Sequence, residues 1–314
     1  MSDRIDSPVI EQQLAHRSVR RFLDVPVTDA QLGRIVSAAQ RASTSSNLQA
    51  WTVVAIHDAD RKRRISQAIG DHHYVEHAPV LLVWLADFAR NAELIRSRGA
   101  EPATLGLIEN TVLGSVDVGI AAQNALLAAE SLGLGGLFIG GIRNDPAAVS
   151  AELELPQNVF PVVGMALGVP DPAEGTGLKP RLPLSAVLHR EAYDPEAWRD
   201  GTEQYEENYR EYFAGQGVES RSWARAVSGR LGTVEGMHGR HTMRESLRAQ
   251  GFHSNSPRRI LRDRAGFSAA EGDPAGTDPL RPWGVSVKSS PLRAALCRSV
   301  LQGRGGGDAG SIVD

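Results

Sequence analysis

The chain has 314 residues, with 34 basic and 37 acidic side chains and a formal net charge of −3 at pH 7. Hydrophobic residues make up 41% and charged residues 23%, proportions that exclude a collagen, a coiled coil and a largely disordered chain. So small a net charge argues against nucleic acid or an anionic membrane as the main partner. Cys297 is the single cysteine, which excludes an intrachain disulfide and a cysteine-rich zinc site.

The sequence gives no indication of export or membrane insertion. Residues 1 to 21 carry charges where a signal peptide needs an unbroken apolar core. The most apolar segments, such as residues 79 to 86, fall far short of the roughly 20 residues that a membrane helix needs. We therefore expect a cytoplasmic protein.

Helices and strands alternate over the first half of the chain. Thr28 and Gln31 form a capping-box pattern, and the apolar spacing behind them predicts a helix over residues 29 to 42. Residues 52 to 57 and 80 to 86 are short and rich in β-branched side chains, which predicts two buried strands. We expect a helix over about 60 to 69 between them.

A long helix is predicted within residues 103 to 132, apolar on nearly every side and ended by Gly133, as in a helix buried at a domain centre. After it we expect, in order, a strand over 136 to 141, a helix that starts at Pro146, a strand over 160 to 170 and a helix pair over about 196 to 250. This alternation predicts an α/β or α+β sheet. No G-x-G-x-x-G links a strand to a helix, so a Rossmann dinucleotide site is disfavoured.

The C-terminal part of the chain has a different composition. Residues 258 to 314 hold nine basic and six acidic side chains, net +3, and are rich in Gly, Pro and Ser without a sustained period. We expect a folded domain over residues 1 to 257 and a disordered extension over 258 to 314, with at most a short helix near 291 to 302.

Three polar clusters suit an anionic ligand. The spacing of residues 16 to 21 (HRSVRR) predicts Arg17, Arg20 and Arg21 on one helical turn with Ser18 nearby, an arrangement that suits a phosphate. The second cluster, residues 43 to 49 (STSSNLQ), offers hydroxyl and amide groups in a loop. Taken alone, the first cluster also fits a solvated basic helix face and the second an ordinary polar connection.

The third cluster is the loop over residues 179 to 183 (KPRLP), where two prolines stiffen a segment that presents Lys179 and Arg181. By itself it also fits an exposed rigid linker. Only three of the 34 basic residues are lysines, which makes Lys179 notable.

In this order the clusters are distinctive. Together with AAQNALLAAESLGLGG over 121 to 136 and IGGIRN over 139 to 144, they resemble the nitroreductase family, in its NADPH-preferring branch of oxygen-insensitive nitroreductases and P-type flavin reductases. The resemblance covers residues 10 to about 252. It implies an α+β fold with a central, mostly antiparallel sheet flanked by helices, an interdigitated homodimer, and one FMN in each of two interfacial sites. The helices over about 196 to 250 would then serve the nicotinamide nucleotide and dimer contacts.

The resemblance also implies FMN-binding residues. The segment for the phosphate and ribityl chain would be His16, Arg17, Ser18 and Arg20, and the second FMN loop Thr44, Ser46, Asn47 and Gln49. Backbone would approach the isoalloxazine at Gly140 and Gly141, while Lys179 and Arg181 would face its pyrimidine edge and the phosphate. A cation at that edge stabilises negative charge on the reduced flavin.

Two positions depart from the family pattern. His72 stands where the family has a flavin-contacting glutamine. The branch carries two arginines for the 2′-phosphate of NADPH, and here only Arg221 matches, since the earlier position is Gln216. Losing one charge-assisted contact weakens binding of that phosphate by about 1.5–3 kcal/mol. Arg225 and Arg230 are the alternative sources of the missing contact, and spacing does not decide between them. NADPH is the expected reductant, with NADH as the alternative.

Other chemistries fit less well. His72, His73 and His77 are close in sequence, and so are His238 and His241, but H-E-x-x-H and supporting ligands at metal spacing are missing, so we expect no metal. A G-x-S-x-G elbow for acyl transfer is also missing.

The expected function is an FMN-dependent NAD(P)H oxidoreductase with a ping-pong cycle, acting on nitroaromatics, quinones or free flavin. The flavin carries the chemistry, so no side chain is assigned as catalytic. Two alternatives stay open: a flavin-binding carrier without pyridine-nucleotide turnover, and a flavin reductase that supplies a monooxygenase.

Overall fold

The computed structural model describes residues 6–175, 177–219 and 221–252, all of them within one unit, Met1–Ala265. The predicted extension over 258 to 314, with its short helix and Cys297, lies outside the described residues. Ten α-helices and four strands are found in the described part of the chain. In order they are α1 (Pro8–Leu14), α2 (Asp29–Ala39), β1 (Trp51–Ile56), α3 (Ala59–Ile69), α4 (His73–Glu76), β2 (Val80–Asp87), α5 (Ala89–Ser97), α6 (Ile108–Ser131), β3 (Gly135–Ile139), α7 (Pro146–Glu152), β4 (Val159–Gly168), α8 (Trp198–Gly215), α9 (Trp223–Leu231) and α10 (Met243–Ala249).

The strands form one antiparallel sheet in the order β1-β2-β4-β3. Every residue of the central strand β2 is buried, and its side chains alternate between two cores. Leu82 and Trp84 pack with residues of α2 and α6, whereas Leu81 and Val83 pack on the opposite face with residues of α3 and α7. This arrangement confirms the predicted α+β class with an antiparallel sheet flanked by helices.

Local sequence patterns placed most elements correctly. Thr28 and Gln31 form the capping box at the start of α2, and Asp145 caps α7 directly before Pro146. The predicted strand over 136 to 141 is shorter, because Gly140–Arg143 forms a 3-10 turn after β3. The predicted helix pair over 196 to 250 is wrong: α9 ends before Gly232, two 3-10 turns follow, and α10 is a third helix.

Helix α6 differs from expectation in two ways. Its 24 residues are long and apolar enough to cross a membrane by length and composition alone, so the expectation that every apolar segment is too short is wrong. Eight of its residues are buried, with one face against α2 and the sheet. The expectation of burial on nearly every side is also wrong, because four aliphatic side chains on one face are 41–54% exposed: Ile108, Val112, Val116 and Ile120.

Candidate functional site

The basic segment over residues 16 to 21 is extended, not helical. Helix α1 ends at Leu14, and Ser18 forms a parallel bridge with Gly136 at the start of β3. The Val19 amide donates to the Gly136 carbonyl oxygen at 3.0 Å, so this backbone pairs with the sheet. A Cβ on Gly135 would lie 2.7 Å from a methyl group of Val19, so glycine at that position permits the close approach. The predicted helical turn of arginines is therefore wrong.

The extended segment faces the proline-stiffened loop across a cavity of about 220 Å³. The two segments are more than 150 residues apart in sequence, and both line this cavity together with the C-terminal end of α8. Six of the residues that the resemblance assigns to FMN line the cavity: His16, Arg17, Ser18, Arg20, Lys179 and Arg181. The phenol of Tyr212, on α8, and the side-chain amide of Gln216, at the C-cap of α8, also line the cavity.

The cavity carries concentrated positive charge. Burial lowers the pKa of the Lys179 ammonium, and repulsion from Arg20, Arg181 and Arg221 lowers it further. The Lys179 ammonium lies 5.6 Å from the centre of the Phe213 ring, and the Arg221 guanidinium lies 5.1 Å from the same ring. Cations that repel one another around a cavity favour an anionic ligand, since its charge offsets their repulsion.

Helix α6 holds one lining residue in place. The His16 Nδ1 atom lies 2.5 Å from Oε1 of Glu130, whose side chain is 9% exposed. Glu130 belongs to the AAESLGLGG stretch, but no sequence pattern indicates a role for its carboxylate. The contact joins residues 114 positions apart, so no local pattern indicates it.

His72 and the glycine pair lie together at the end of β3. A Cβ on Gly141 would lie 3.0 Å from Nε2 of His72, so the imidazole contacts this backbone closely. The His72 ring stacks on Tyr74, with ring centres 5.1 Å apart. Burial lowers the pKa of His72, and the neighbouring charges of His73, Arg240 and His238 lower it further against the opposing effect of Asp71.

Tyr74 stacks on His72, and sequence reasoning missed it. Burial raises the pKa of its phenol, while the charge of Arg20 opposes that shift. The position of Tyr74 two residues after His72 in DHHYVEHAP was the available indication.

The serine-rich loop lies elsewhere in the single chain. Thr44, Asn47 and Gln49 line a separate cavity of about 660 Å³ beside β1 and Arg90. Ser46 belongs to the same loop, where Ser46, Asn47 and Gln49 have φ values of 49°, 55° and 50°. Left-handed backbone at three non-glycine residues is strained by about 1–3 kcal/mol each, so other contacts must hold the loop.

Asp117 on α6 supplies those contacts. Its side chain accepts hydrogen bonds from Thr44 Oγ1 at 2.5 Å and from the Ser45 amide at 3.1 Å, and the residue is 2% exposed. The backbone N–H of Gln49 donates to Thr44 Oγ1 at 2.9 Å, so the same hydroxyl also fixes the far end of the loop. The contact spans 73 residues in sequence, and sequence reasoning missed Asp117 as well.

We expect Asp117→Asn to lower the free energy of unfolding by about 1.5–3 kcal/mol. Both carboxylate oxygens of Asp117 accept hydrogen bonds, whereas asparagine has a single, uncharged acceptor oxygen. If the loop binds FMN, flavin retention should fall as well. Urea unfolding and the FMN content after gel filtration measure the two effects. Asp24→Asn is the matched control, since Asp24 is exposed and should change unfolding by less than about 0.5 kcal/mol. Unfolding of Asp117→Asn like that of the control would contradict the loop-positioning role.

Comparison with known proteins identifies relatives of this chain and of its fold. The family model "Nitroreductase family" matches residues 14–169, and "Nitroreductase family, C-terminal domain" matches residues 179–255. An NADPH-flavin oxidoreductase of Vibrio harveyi is 40% identical over 71% of this chain and 90% of its own. An oxygen-insensitive NADPH nitroreductase of Salmonella typhimurium is 41% identical over 68% of this chain and 86% of its own.

A solved structure agrees with these matches. The NADPH:FMN oxidoreductase from Vibrio harveyi, complexed with NAD⁺, superposes with a TM-score of 0.70 at 36% identity, covering 79% of this chain and 99% of that one. Sequence and fold thus agree over the part of the chain that carries the cationic cavity, the glycine pair and the serine-rich loop. The chain belongs to the nitroreductase family.

Proposed function

We propose that this protein is an FMN-dependent NAD(P)H oxidoreductase that reduces nitroaromatics, quinones or free flavin. The observation that carries the proposal is the cationic cavity, where two segments far apart in sequence bring His16, Arg20, Lys179 and Arg181 around one space. The names of the relatives support it, since they are an NADPH-flavin oxidoreductase and an NADPH nitroreductase.

The lining residues fit the phosphate and ribityl chain of FMN. Guanidinium groups donate paired hydrogen bonds to a phosphate, and Ser18 adds a hydroxyl group. Repulsion among Lys179, Arg20 and Arg181 is relieved when an anion enters the cavity. His72 and Tyr74 form a stacked pair of rings, and Gly140 and Gly141 present backbone without side chains, which suits the approach of a flat ring.

The chain's own residues bind and orient the reactants. Bound FMN supplies the group that accepts hydride from NADPH and later donates it to the acceptor. Lys179 and Arg181 would place positive charge beside the bound flavin, and Arg221 would bind a phosphate of the nucleotide. A ping-pong order follows if nucleotide and acceptor use the same open face in turn. No protein group has to act as a general base.

We also propose a homodimer in which the partner completes the site. Ile108, Val112, Val116 and Ile120 recur every four residues along α6 and form an apolar stripe about 18 Å long. An exposed aliphatic stripe of this kind suits a second copy of the chain. Thr44, Asn47 and Gln49 line a different cavity from the cationic one, so they would reach a flavin held by the partner subunit.

The domain boundary and the location belong to the same proposal. We propose that residues 1 to 257 suffice for flavin binding and dimer formation, and that the extension over 258 to 314 contributes to neither. A cytoplasmic location accords with a single cysteine and a reducing nucleotide as the electron source.

Anaerobic mixing of the purified protein with NADPH tests the proposal. We expect about one FMN per chain and rapid loss of the visible flavin absorbance, followed by its return when a quinone is added. Retained colour after NADPH would favour the flavin-carrier alternative, which Gln216 keeps open. A colourless protein that added FMN does not reconstitute would contradict the proposal altogether.

A further inference from the structure

A second group of cations lies around Gly140, and none of its members lines the cationic cavity. An ideal Cβ on Gly140 would lie 3.5 Å from Nη2 of Arg143 and 3.6 Å from Nη2 of Arg240. Two guanidinium groups therefore converge on the backbone of one glycine. Neither residue appears in the capping, packing or phosphate-binding roles described above, and Arg143 follows the glycine pair within the IGGIRN stretch.

Arg230 belongs to the same group, which we call the arginine triad: Arg143, Arg230 and Arg240. Burial lowers the pKa of Arg143, and the charge of Arg230 lowers it further. Burial also lowers the pKa of Arg240, and the charges of Arg143 and Arg230 lower it further. Each of the three side chains is half-buried. Three like charges thus share one partly desolvated place.

The triad has no acidic partner in the part of the chain that the structure describes. Among the residues that the structure describes, no carboxylate oxygen lies within 4.0 Å of a triad guanidinium. His72, whose imidazole contacts Gly141, cannot serve as a counterion either, because an imidazole carries no negative charge in either protonation state. Grouped, half-buried charges without a counterion favour an anionic ligand.

Neutral groups hold the three side chains in place and leave donors available. Arg240 Nε donates to Asn144 Oδ1 at 2.8 Å, and Asn144 Nδ2 in turn donates to the carbonyl oxygen of Ile69 at 2.6 Å. Neither Nη atom of Arg240 donates a hydrogen bond within the described part of the chain. Gly239, with φ of +85°, permits this approach, because a Cβ there would lie 2.6 Å from the Asn144 carbonyl oxygen.

The other two arginines are fixed in the same way. Arg143 Nη1 donates to the carbonyl oxygen of Val162, and Arg230 Nη1 donates to that of Gly236 at 2.6 Å. In each case one nitrogen anchors the guanidinium to backbone, and the other terminal nitrogen has no partner among the described residues. Pre-positioned guanidinium groups lose little freedom when they bind an oxyanion.

We infer that the arginine triad binds an oxyanion carried by the electron acceptor, so that aromatic acceptors with a sulfonate, carboxylate or phosphate group are preferred over neutral ones. The inference rests on the proposed function, which places Gly140 and Gly141 against the flavin ring. An acceptor stacked on that ring would direct a charged substituent past Gly140 to the triad. The phosphates of the nucleotide are assigned elsewhere, because Arg221 lies over Phe213 beside Lys179.

The test compares 1,2-naphthoquinone-4-sulfonate with neutral 1,2-naphthoquinone as acceptors of the holoenzyme. Arg230→Gln should lower kcat/KM for the sulfonate about tenfold or more, the loss expected for one charge-assisted hydrogen bond, and change it for the neutral quinone less than about twofold. Arg230→Lys should recover part of the loss. Arg248→Gln, which removes an exposed arginine of α10, is the matched control.

A binding measurement that needs no turnover accompanies the kinetics. Calorimetric titration of the oxidised holoenzyme with redox-inert 1-naphthalenesulfonate should show binding that weakens in Arg230→Gln and Arg240→Gln but not in Arg248→Gln. If NADPH reduces nothing but this pattern appears, the proposed function fails and the anion site stands.

Three results would overturn the inference. Equal losses with the sulfonate and the neutral quinone would show that the triad supports the fold or the flavin instead. A loss confined to kcat/KM for NADPH would assign the triad to the nucleotide phosphates. Unchanged sulfonate kinetics and binding in both Arg230→Gln and Arg240→Gln would show that no reactant anion binds there.

Discussion

The double variant Arg20→Ala, Lys179→Ala is expected to purify without FMN. Both side chains line the cationic cavity, one from the extended segment beside β3 and one from the proline-stiffened loop. Each charge-assisted contact to a phosphate contributes about 1.5–3 kcal/mol, so their joint loss should raise the Kd for FMN by roughly 10²–10⁴-fold. The ratio of flavin to protein absorbance after gel filtration measures retention, and titration with added FMN measures the Kd.

Two controls separate flavin loss from unfolding. The double variant Arg96→Ala, Arg248→Ala removes two exposed cations outside the cavity and should keep its FMN. A chain truncated after Pro257 should keep both its FMN and its dimer, because the extension is proposed to serve neither. Far-ultraviolet circular dichroism should be the same for all of them. If the Arg20→Ala, Lys179→Ala variant holds a full complement of FMN, the cavity is not the phosphate site.

The sequence indicated candidate ligand groups only where short continuous segments carry them. The three polar clusters are readable because each is continuous in sequence, and hydroxyl, amide and cationic groups indicate an anionic ligand without any knowledge of the fold. Element positions followed from local rules, such as the Thr28 capping box and the Pro146 helix start. Two of the clusters do meet at one cavity.

The errors arose where distant backbone decides the conformation. The charges of residues 16 to 21 suit a helical turn and an extended strand equally well, and the decision lies in the Val19 bond to Gly136, 117 positions away. The exposed stripe of α6 was hidden for a similar reason. Composition shows that a helix is apolar all round, but the sheet and α2 cover only one of its faces.

Positioning residues escaped the sequence analysis for the same physical reason. Asp117 and Glu130 both lie on α6, and each reaches a predicted ligand-binding residue more than 70 positions away. The arginine triad draws its members from the turn after β3, from α9 and from the turn before α10. In a chain where nearly every basic residue is arginine, spacing alone cannot show which guanidinium groups converge.

A prediction of the nucleotide preference follows from the roles proposed for Arg221 and Gln216. The two residues lie on either side of the turn after α8, with Gln216 lining the cationic cavity and Arg221 over Phe213. If Arg221 alone meets the 2′-phosphate of NADPH, the ratio of kcat/KM for NADPH over NADH should be modest. It should also fall with added salt, because an exposed ion pair is screened over about 8–10 Å at 0.1–0.15 M ionic strength.

Arg221→Ala should nearly erase that ratio, a change of roughly tenfold if one exposed charge-assisted contact of about 1.5 kcal/mol is lost. Gln216→Arg should enlarge it, chiefly through a lower KM for NADPH, because the added contact serves ground state and transition state alike. Steady-state rates with both nucleotides at two ionic strengths measure these effects. The FMN content decides between the phosphates, since Arg221 also lies beside Lys179. A wild-type ratio in Arg221→Ala together with lost FMN would assign Arg221 to the flavin phosphate and contradict its role in nucleotide selection.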